Sequence, residues 1–228
     1  MSVNLFAQKM TFQVTFEQIK PGHGPAYSSA IEQYRAKYVP ASTDGGTVAF
    51  NVVGGKQDGK IVSMNAKPRS FADRDVTTPW IEGRRESYML NVAPHIENRQ
   101  TEILVYQPDY SNSKYEEGKD VEKFLMTEWT LINGSNAGDE FRKRMIKVRE
   151  KLGIKTAVFS TATGEPKVYS SRRLPNGWKD LDETINYEPT YDELYGKGAW
   201  AKDMVIMSTY WKVTDRFMMT KNKDLSSK

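Results

Sequence analysis

The 228-residue sequence contains no cysteine and two histidines, and no apolar run in it approaches the length of a membrane span. Without cysteine, the chain has no disulfide framework, no thiolate nucleophile and no sulfur ligand for a metal. A helix that crosses a bilayer needs about 20 consecutive apolar residues. The composition therefore excludes thiol chemistry and predicts a soluble protein without a membrane partner.

Charged residues are abundant but balanced, with 33 basic and 29 acidic residues and a net charge of +4. A mixed surface of this kind differs from the concentrated positive charge that neutralises phosphates. One stretch is locally basic, but Glu140 and Glu150 interrupt it, which indicates a solvated helix face. Its basic residues are Arg142, Lys143, Arg144, Lys147, Arg149 and Lys151. Nucleic acid is therefore not predicted as a partner.

A short pattern occurs twice, first as TVAFNVVGG at residues 47–55 and again as TAVFSTATG at residues 156–164. A serine and then a proline follow each copy at matching distances. These pairs are Ser63 with Ser170 and Pro68 with Pro175. The matching order predicts a duplicated chain, with one module at residues 1–112 and the other at residues 113–228.

The hydrophobic periodicity predicts the same element order in both halves. Alternating apolar and polar residues predict strands, and apolar residues at helical spacing predict helices. In the first half the pattern predicts strands at 10–16, 47–53, 60–67 and 101–107, a helix at 26–38, and a helical region at 71–92 that is broken near Pro79. In the second half it predicts strands at 124–133, 155–163, 166–173 and 203–213, with helical regions at 138–152 and 178–196. Each half therefore has the order βαββαβ.

The order βαββαβ is that of a ferredoxin-like module, a four-stranded antiparallel sheet with both helices on one face. Two such modules in one chain resemble the dimeric α/β-barrel superfamily, specifically members in which the modules are fused in tandem. The resemblance implies an α+β fold whose two antiparallel sheets pack together as an α/β barrel. The superfamily includes antibiotic-biosynthesis-type monooxygenases, haem-degrading enzymes, muconolactone-isomerase-like proteins and stress-response proteins. The fold alone therefore selects no activity.

Polar residues on the expected strands are the first candidates for a site. Glu17 and Glu128 are candidate catalytic bases. The candidate ligand-binding residues on strands are Arg172, Asn65, Tyr106 and Tyr210. The alternative interpretation is that these are rim groups or interior polar groups paired within the fold. Because Asn65 corresponds to Arg172, we expect function in one copy only, with Arg172 either binding a substrate anion or pairing with Glu128.

The two histidines give little support for metal chemistry. His23 lies between glycines in a turn, and His95 precedes the fourth strand. His95 is a candidate catalytic residue that could, as a lone imidazole, ligate haem iron; the other interpretation is a surface or helix-end histidine. No cluster has the spacing of a zinc or non-haem iron site. The sequence therefore predicts no metal site and no cofactor.

Aromatic residues form 11% of the chain, and Trp129 stands out among them. It lies on the first strand of the second copy, where the first copy has a smaller or polar residue. Large rings of this kind pack in a core or an interface, or form the wall of a pocket for a flat organic ligand. The resemblance implies the second role, because cofactor-free oxygenases of the superfamily use such cavities. Trp129 is therefore a further ligand-binding candidate.

Two classes of function remain open from the sequence. One is a small-molecule enzyme of the monooxygenase or isomerase kind, and the other is a non-catalytic structural or interaction barrel. The sequence favours a small-molecule-binding protein of unproven activity, as a monomer or a homodimer. Residues 5–8 resemble the end of an export signal, so both the cytoplasm and an exported location are compatible with the sequence.

The expected barrel makes a prediction about half of the chain. If each sheet covers the other, residues 1–112 expressed alone expose an apolar sheet face. We expect this fragment to aggregate or to self-associate, because such a face binds a partner. Size-exclusion chromatography with light scattering, with the intact chain as control, measures the outcome. A folded monomeric fragment would contradict the prediction.

Overall fold

The computed structural model of the chain describes residues 9–38, 46–75, 83–114, 122–133 and 138–226. These residues form eight β-strands and six α-helices, a mixed α/β fold. None of the described helices combines the length and the apolar character that crossing a membrane requires. The export-like residues 5–8 and the expected break near Pro79 lie outside the described residues.

The chain divides into two compact units. The first consists of Met1–Val53, Gln57–Tyr106 and Thr220–Lys228, and the second of Gly54–Lys56 and Gln107–Met219. In the first unit the strands are β1 (Thr11–Ile19), β2 (Thr47–Val53), β3 (Ile61–Asn65) and β4 (Ile96–Tyr106). Its helices are α1 (Gly24–Tyr38), α2 (Phe71–Asp75) and α3 (Arg84–Ser87). A π-helical turn (Tyr88–Val92) and a 3-10 turn (Ala93–His95) extend α3.

The second unit has the corresponding order of elements. Its strands are β5 (Lys123–Leu131), β6 (Thr156–Thr161), β7 (Lys167–Arg173) and β8 (Trp211–Asn222), whose last three residues belong to the first unit. Its helices are α4 (Asp139–Lys151), α5 (Glu188–Tyr195) and α6 (Ala199–Tyr210). Short 3-10 turns at Pro108–Tyr110 and Gly177–Leu181 complete the unit.

All strand pairs whose register is defined are antiparallel. In the first unit β1 pairs with β3 and β4, and β2 pairs with β3. In the second unit β7 pairs with both β5 and β6. The hydrogen-bonded order of the eight strands is β1-β3-β2-β8-β5-β7-β6-β4, and the barrel is closed. The expected α/β barrel with antiparallel strands is therefore confirmed.

Helix packing on the sheet follows the apolar spacing of each helix. Tyr27 and Ile31 of α1 are buried in one apolar cluster with Ala49 of β2. Met145 and Val148 of α4 are buried in another, together with Tyr191 of α5. Residues three and four positions apart share a helix face, so each helix presents one apolar stripe to its own unit.

The expected last strand at 203–213 is wrong, because most of this stretch is helix α6 and the strand starts at Trp211. Val205 and Ile206 favour a strand by propensity, but both are exposed, whereas Asp203 and Met207 are buried four residues apart. The Asp192 carboxylate also accepts hydrogen bonds from the backbone N–H groups of Gly198 and Trp200 at the start of the helix. Tertiary contacts therefore override local β-propensity here.

A glycine between β2 and β3 is required by a close approach to Asp215. Gly55 has φ +66°, and a Cβ there would lie 2.3 Å from Asp215 Oδ1 and 2.6 Å from the Arg216 carbonyl oxygen. The neighbouring Gly54 has φ +81° and nothing within 4 Å of its Cβ position. The buried Asp215 carboxylate accepts hydrogen bonds from the backbone N–H groups of Lys56 and Arg216, both at 2.9 Å.

We expect Gly55→Ala to destabilise the protein more than Gly54→Ala. Both changes place a side chain at left-handed φ, which costs about 1–2 kcal/mol. Only Gly55→Ala also forces Cβ against Asp215, and overpacking of this kind adds about 1–3 kcal/mol. Denaturant unfolding of the two variants measures the difference. Equal losses of unfolding free energy would show that the loop moves away from Asp215.

Candidate functional site

The second unit contains a cavity between its sheet and its helices. The cavity has a volume of about 60 Å³. A site for one water needs about 10–15 Å³, so the cavity has room for a ligand of about one or two fused rings. Its wall combines side chains of α4 and α6 with side chains of β5, β6, β7 and β8.

Strand register explains why these side chains meet. Trp129 of β5 pairs with Val168 of β7, and Ser170 of β7 pairs with Val158 of β6. Alternate residues of a strand share a face, so all four project toward α4. All four line the cavity. The apolar residues Met145 and Met207 come from the helices on the other side.

Arg142 is the most constrained polar group of the wall. Its guanidinium carbon lies 4.4 Å from the ring centre of Tyr110 and 5.0 Å from that of Trp211. Its Nη2 atom forms an ion pair with Asp139, one turn earlier on α4. Stacking on two rings and pairing with one carboxylate fix the plane of the guanidinium. The Nε atom of Arg142 is buried and has no hydrogen-bond partner among the described residues.

Burial shifts the pKa of two further groups of the wall. Burial lowers the pKa of the Arg149 guanidinium, and the phenol of Tyr187 only partly offsets this. Burial, followed by the hydrogen bond to Asp139, raises the pKa of the Tyr110 phenol. Tyr110 is therefore neutral near neutral pH. Apart from Ser170, the remaining wall is apolar and includes the rings of Trp129, Phe141 and Trp211.

The basic stretch of α4 is divided between solvent and cavity. Lys143, Lys147 and Lys151 are exposed, as expected for a solvated face. The same expectation is wrong for Arg142 and Arg149, which are half-buried and line the cavity. They lie seven residues apart and so share a helix face, and this spacing is the signal in the sequence that places them together.

Glu128, a candidate base, lies on the opposite face of the sheet from the cavity. It is 5% exposed and accepts hydrogen bonds from Thr214 Oγ1 at 2.7 Å, Tyr169 Oη at 3.0 Å and Lys167 Nζ at 3.3 Å. Burial alone raises the pKa of this carboxyl, but the Thr214 hydrogen bond, the Lys167 charge and the Tyr169 hydrogen bond outweigh it. The pKa of Glu128 is therefore lowered, and the carboxylate acts as an anchor for three donors.

Glu17, the other candidate base, is the centre of a polar cluster in the first unit. It is 3% exposed and accepts hydrogen bonds from Tyr27 Oη at 2.5 Å and Tyr88 Oη at 2.9 Å, and Arg99 Nε lies at 3.4 Å. Burial and the Glu17 charge raise the pKa of both phenols. Burial lowers the pKa of the nearby Arg35, which the charges of Tyr27 and Glu17 counter. Both carboxylate oxygens are thus engaged within the fold.

Arg172 and Asn65 have structural partners. Arg172 Nη2 donates to the backbone oxygen of Asp180 at 2.9 Å. The expected pairing of Arg172 with Glu128 is wrong, because Arg172 pairs with Leu125 in the sheet, and residues 125 and 128 project from opposite faces. Asn65 accepts a hydrogen bond from the Gln13 backbone N–H at 2.6 Å and donates to the backbone oxygen of Lys67.

The remaining candidates lie apart from the cavity. Tyr106 is buried at the end of β4. Tyr210 was expected on a strand but ends helix α6, where its backbone oxygen accepts a hydrogen bond from the Ile132 backbone N–H. The two histidines meet, with His23 Nδ1 and His95 Nδ1 3.0 Å apart. One of these nitrogens therefore carries a proton and the other accepts it. Trp129 is the one candidate from the sequence that lines the cavity.

Comparison with known proteins identifies the fold. No family model matches the sequence, and no curated protein is significantly similar to it. A crystal structure of a "putative monooxygenase" from Lactobacillus acidophilus superposes with a TM-score of 0.53 at 10% identity and covers 96% of both chains. An anthrone oxidase-like protein gives 0.52 at 11%, covering 94% of this chain and 92% of the other. A heme-binding protein from Thermus thermophilus gives 0.50 at 10%, covering 95% and 92%.

A protein named as a putative chlorite dismutase also superposes, with a TM-score of 0.52 at 11% identity, and the chain shares the fold of these neighbours. Because one neighbour binds haem, the fit of haem to the cavity can be tested. A cavity of about 60 Å³ is too small for the macrocycle. Both histidines belong to the first unit and bond to each other, so neither lines this cavity. The residues of the cavity therefore do not fit haem.

We predict that Glu128 stabilises the fold in a pH-dependent way. Its folded-state pKa lies below the ordinary value of 4.5, so its contribution is present above that pH and is lost as pH falls through the folded pKa. Glu128→Gln should cost about 1.5–3 kcal/mol near neutral pH, because charged hydrogen bonds are lost.

Denaturant unfolding of the wild type and of Glu128→Gln, from neutral pH down through the folded-state pKa of Glu128, measures the effect. The difference in unfolding free energy between the two proteins should disappear in acid. Glu140→Gln is the control, since Glu140 is exposed and its Lys143 partner lies at 3.5 Å. A gap that is the same at all pH values would contradict the prediction.

Proposed function

We propose that this chain is a small-molecule-binding α/β-barrel protein whose second unit binds a flat organic ligand and oxygenates it in a monooxygenase-like reaction. The observation that carries the proposal is the aromatic cavity with a cation in its wall. Flat ring systems bind between aromatic side chains, and a few fixed polar groups orient them. Trp129, Phe141 and Trp211 supply the rings, and Arg142 supplies the fixed polar group.

The wall favours an oxygenation over an isomerisation. Isomerisation requires a group that carries a proton between two carbon atoms. No carboxylate and no imidazole lines the cavity in the part of the chain that the structure describes. In an oxygenation by O₂, a phenolic substrate instead loses its proton to solvent, one oxygen atom becomes the second carbonyl oxygen of a quinone, and the other leaves as water, so the phenol itself supplies the electrons. Such a reaction needs positive charge beside the negative charge that develops on the substrate. Neighbours named as a monooxygenase and as anthrone oxidase-like support the same reaction class.

We also propose that the two units are tandem ferredoxin-like modules, near residues 1–112 and 113–228, that arose by duplication. Corresponding registers support this. Thr15 pairs with Ser63 in the first unit, and Thr127 pairs with Ser170 in the second, which makes Glu17 the counterpart of Trp129. Helix α1 has Tyr27, Ile31 and Arg35 at the spacing at which α4 has Phe141, Met145 and Arg149. The difference between Glu17 and Trp129 is why we place the function in the second unit.

An alternative is a non-catalytic barrel that binds no ligand. A specific variant separates the two functions. Trp129→Ala removes the ring that closes the sheet side of the cavity, so we expect the affinity for a flat aromatic probe to fall at least about tenfold, because stacked rings contribute about 0.5–1.5 kcal/mol beyond their buried area. Fluorescence titration with 2-naphthol, together with oxygen consumption in an oxygen electrode, measures binding and turnover.

Trp178→Ala is the matched control for Trp129→Ala. Trp178 is 50% exposed and does not belong to the cavity wall. We expect this variant to bind and turn over the probe like the wild type. If the wild type binds no flat aromatic probe, the non-catalytic barrel is correct. If it binds the probe but consumes no oxygen with any phenolic compound, the binding function stands and the oxygenation fails.

A further inference from the structure

We propose that the natural ligand of the cavity is an aromatic carboxylate, with its carboxylate group bound by Arg142 and Arg149. The inference rests on the proposed function, since it assigns a chemical class to the ligand of the same cavity. The charged end of such a ligand would lie at the two arginines, and its ring would lie in the apolar part of the cavity.

The first observation is the unsatisfied nitrogen of Arg142. Its Nη2 atom is bound to Asp139, and its guanidinium contacts Tyr110 and Trp211. These contacts leave the guanidinium little freedom to turn toward another partner. Its Nε atom is buried and lacks an acceptor among the described residues. A buried charged donor without an acceptor is costly, and a ligand oxygen in the cavity would supply that acceptor.

The second observation is the absence of an internal carboxylate for Arg149. In the first unit, Arg35 occupies the same helix position, and its interactions with Tyr27 and Glu17 support its protonated form. The counterpart of Glu17 in the second unit is Trp129, which is uncharged. No ion pair of Arg149 is found within the described ranges, although burial disfavours its charged form. A ligand carboxylate would therefore take the electrostatic role that Glu17 has in the first unit.

The charge balance of the wall agrees with an anionic ligand. Arg142 and Arg149 contribute two positive charges, and Asp139, bound to Arg142, is the carboxylate next to them. One positive charge thus lacks an internal counterpart in the described wall. A planar carboxylate matches the planar fork of a guanidinium, and an aromatic ring attached to it would lie against Trp129 and Phe141. This geometry favours a carboxylate joined directly to a ring.

The test uses two probes of the same shape, 2-naphthoate and its neutral amide, 2-naphthamide. Isothermal titration calorimetry of the intact chain near neutral pH gives both affinities. We expect 2-naphthoate to bind at least about tenfold more tightly, the effect of one charge-assisted hydrogen bond. Arg149→Gln should remove most of this preference, because it weakens the binding of 2-naphthoate much more than the binding of 2-naphthamide.

Arg142→Gln is the second variant, and it is expected to remove the preference as well. Its melting temperature must be measured, because it leaves Asp139 without its partner; if it does not fold, Arg149→Gln alone decides. Arg172→Gln is the control. It removes a guanidinium on the cavity-facing side of β7 that bonds to Asp180 and does not line the cavity, so the preference should be retained.

The outcomes separate this inference from the function on which it rests. Equal affinity for the two probes overturns the carboxylate ligand while the aromatic cavity stands. A preference for 2-naphthoate that survives in Arg149→Gln and in folded Arg142→Gln also overturns it, because other groups would then bind the carboxylate. If neither probe binds to the wild type, the proposed function fails, and the inference fails with it.

Discussion

The pairing of β7 with both β5 and β6 is the constraint on which the candidate site depends. This register places Trp129, Val168, Ser170 and Val158 on the face toward α4. A slip of one residue would exchange the two faces of a strand, because side chains alternate. Glu128 would then project into the cavity, and the ring of Trp129 would leave it. The hydrophobic pattern of three strands thus determines which chemistry the cavity contains.

The two units fill the space between helix and sheet with different side chains. In the first unit, Glu17 enters this space, and the hydroxyls of Tyr27 and Tyr88 donate to it. A buried carboxylate is tolerated only when donors surround it, and both oxygens of Glu17 have such donors. In the second unit, the space between helix and sheet instead contains the rings of Trp129 and Phe141. The result is an apolar cavity that retains a buried guanidinium, Arg149, and this combination is what a ligand with a ring and a charge requires.

Much of the fold could be predicted from periodicity, whereas the site could not. The expected helix at 138–152 is observed as Asp139–Lys151, because its apolar stripe is regular. The predicted strand at 203–213 is wrong because Val205 and Ile206 are exposed residues of a helix. The hydrogen bonds of Asp192 at the start of that helix are contacts that no local pattern reveals. The predicted exposure of Arg142 and Arg149 to solvent is wrong for a related reason. A basic helix face is usually solvated, and their direction depends on which side of α4 the sheet covers.

The sequence by itself determined the repeated order of strands and helices and the absence of thiol chemistry, and it singled out Trp129, which lines the cavity. These depend on residue type and on spacing along the chain, which local physics translates directly into strands, helices and turns. The tertiary structure alone decided that Arg172 binds a backbone oxygen, that Glu128 anchors three donors and that Arg142 faces a cavity. Those outcomes depend on which residues from distant parts of the chain become neighbours. A polar side chain becomes structural or functional according to whether its neighbours already satisfy its hydrogen bonds and its charge.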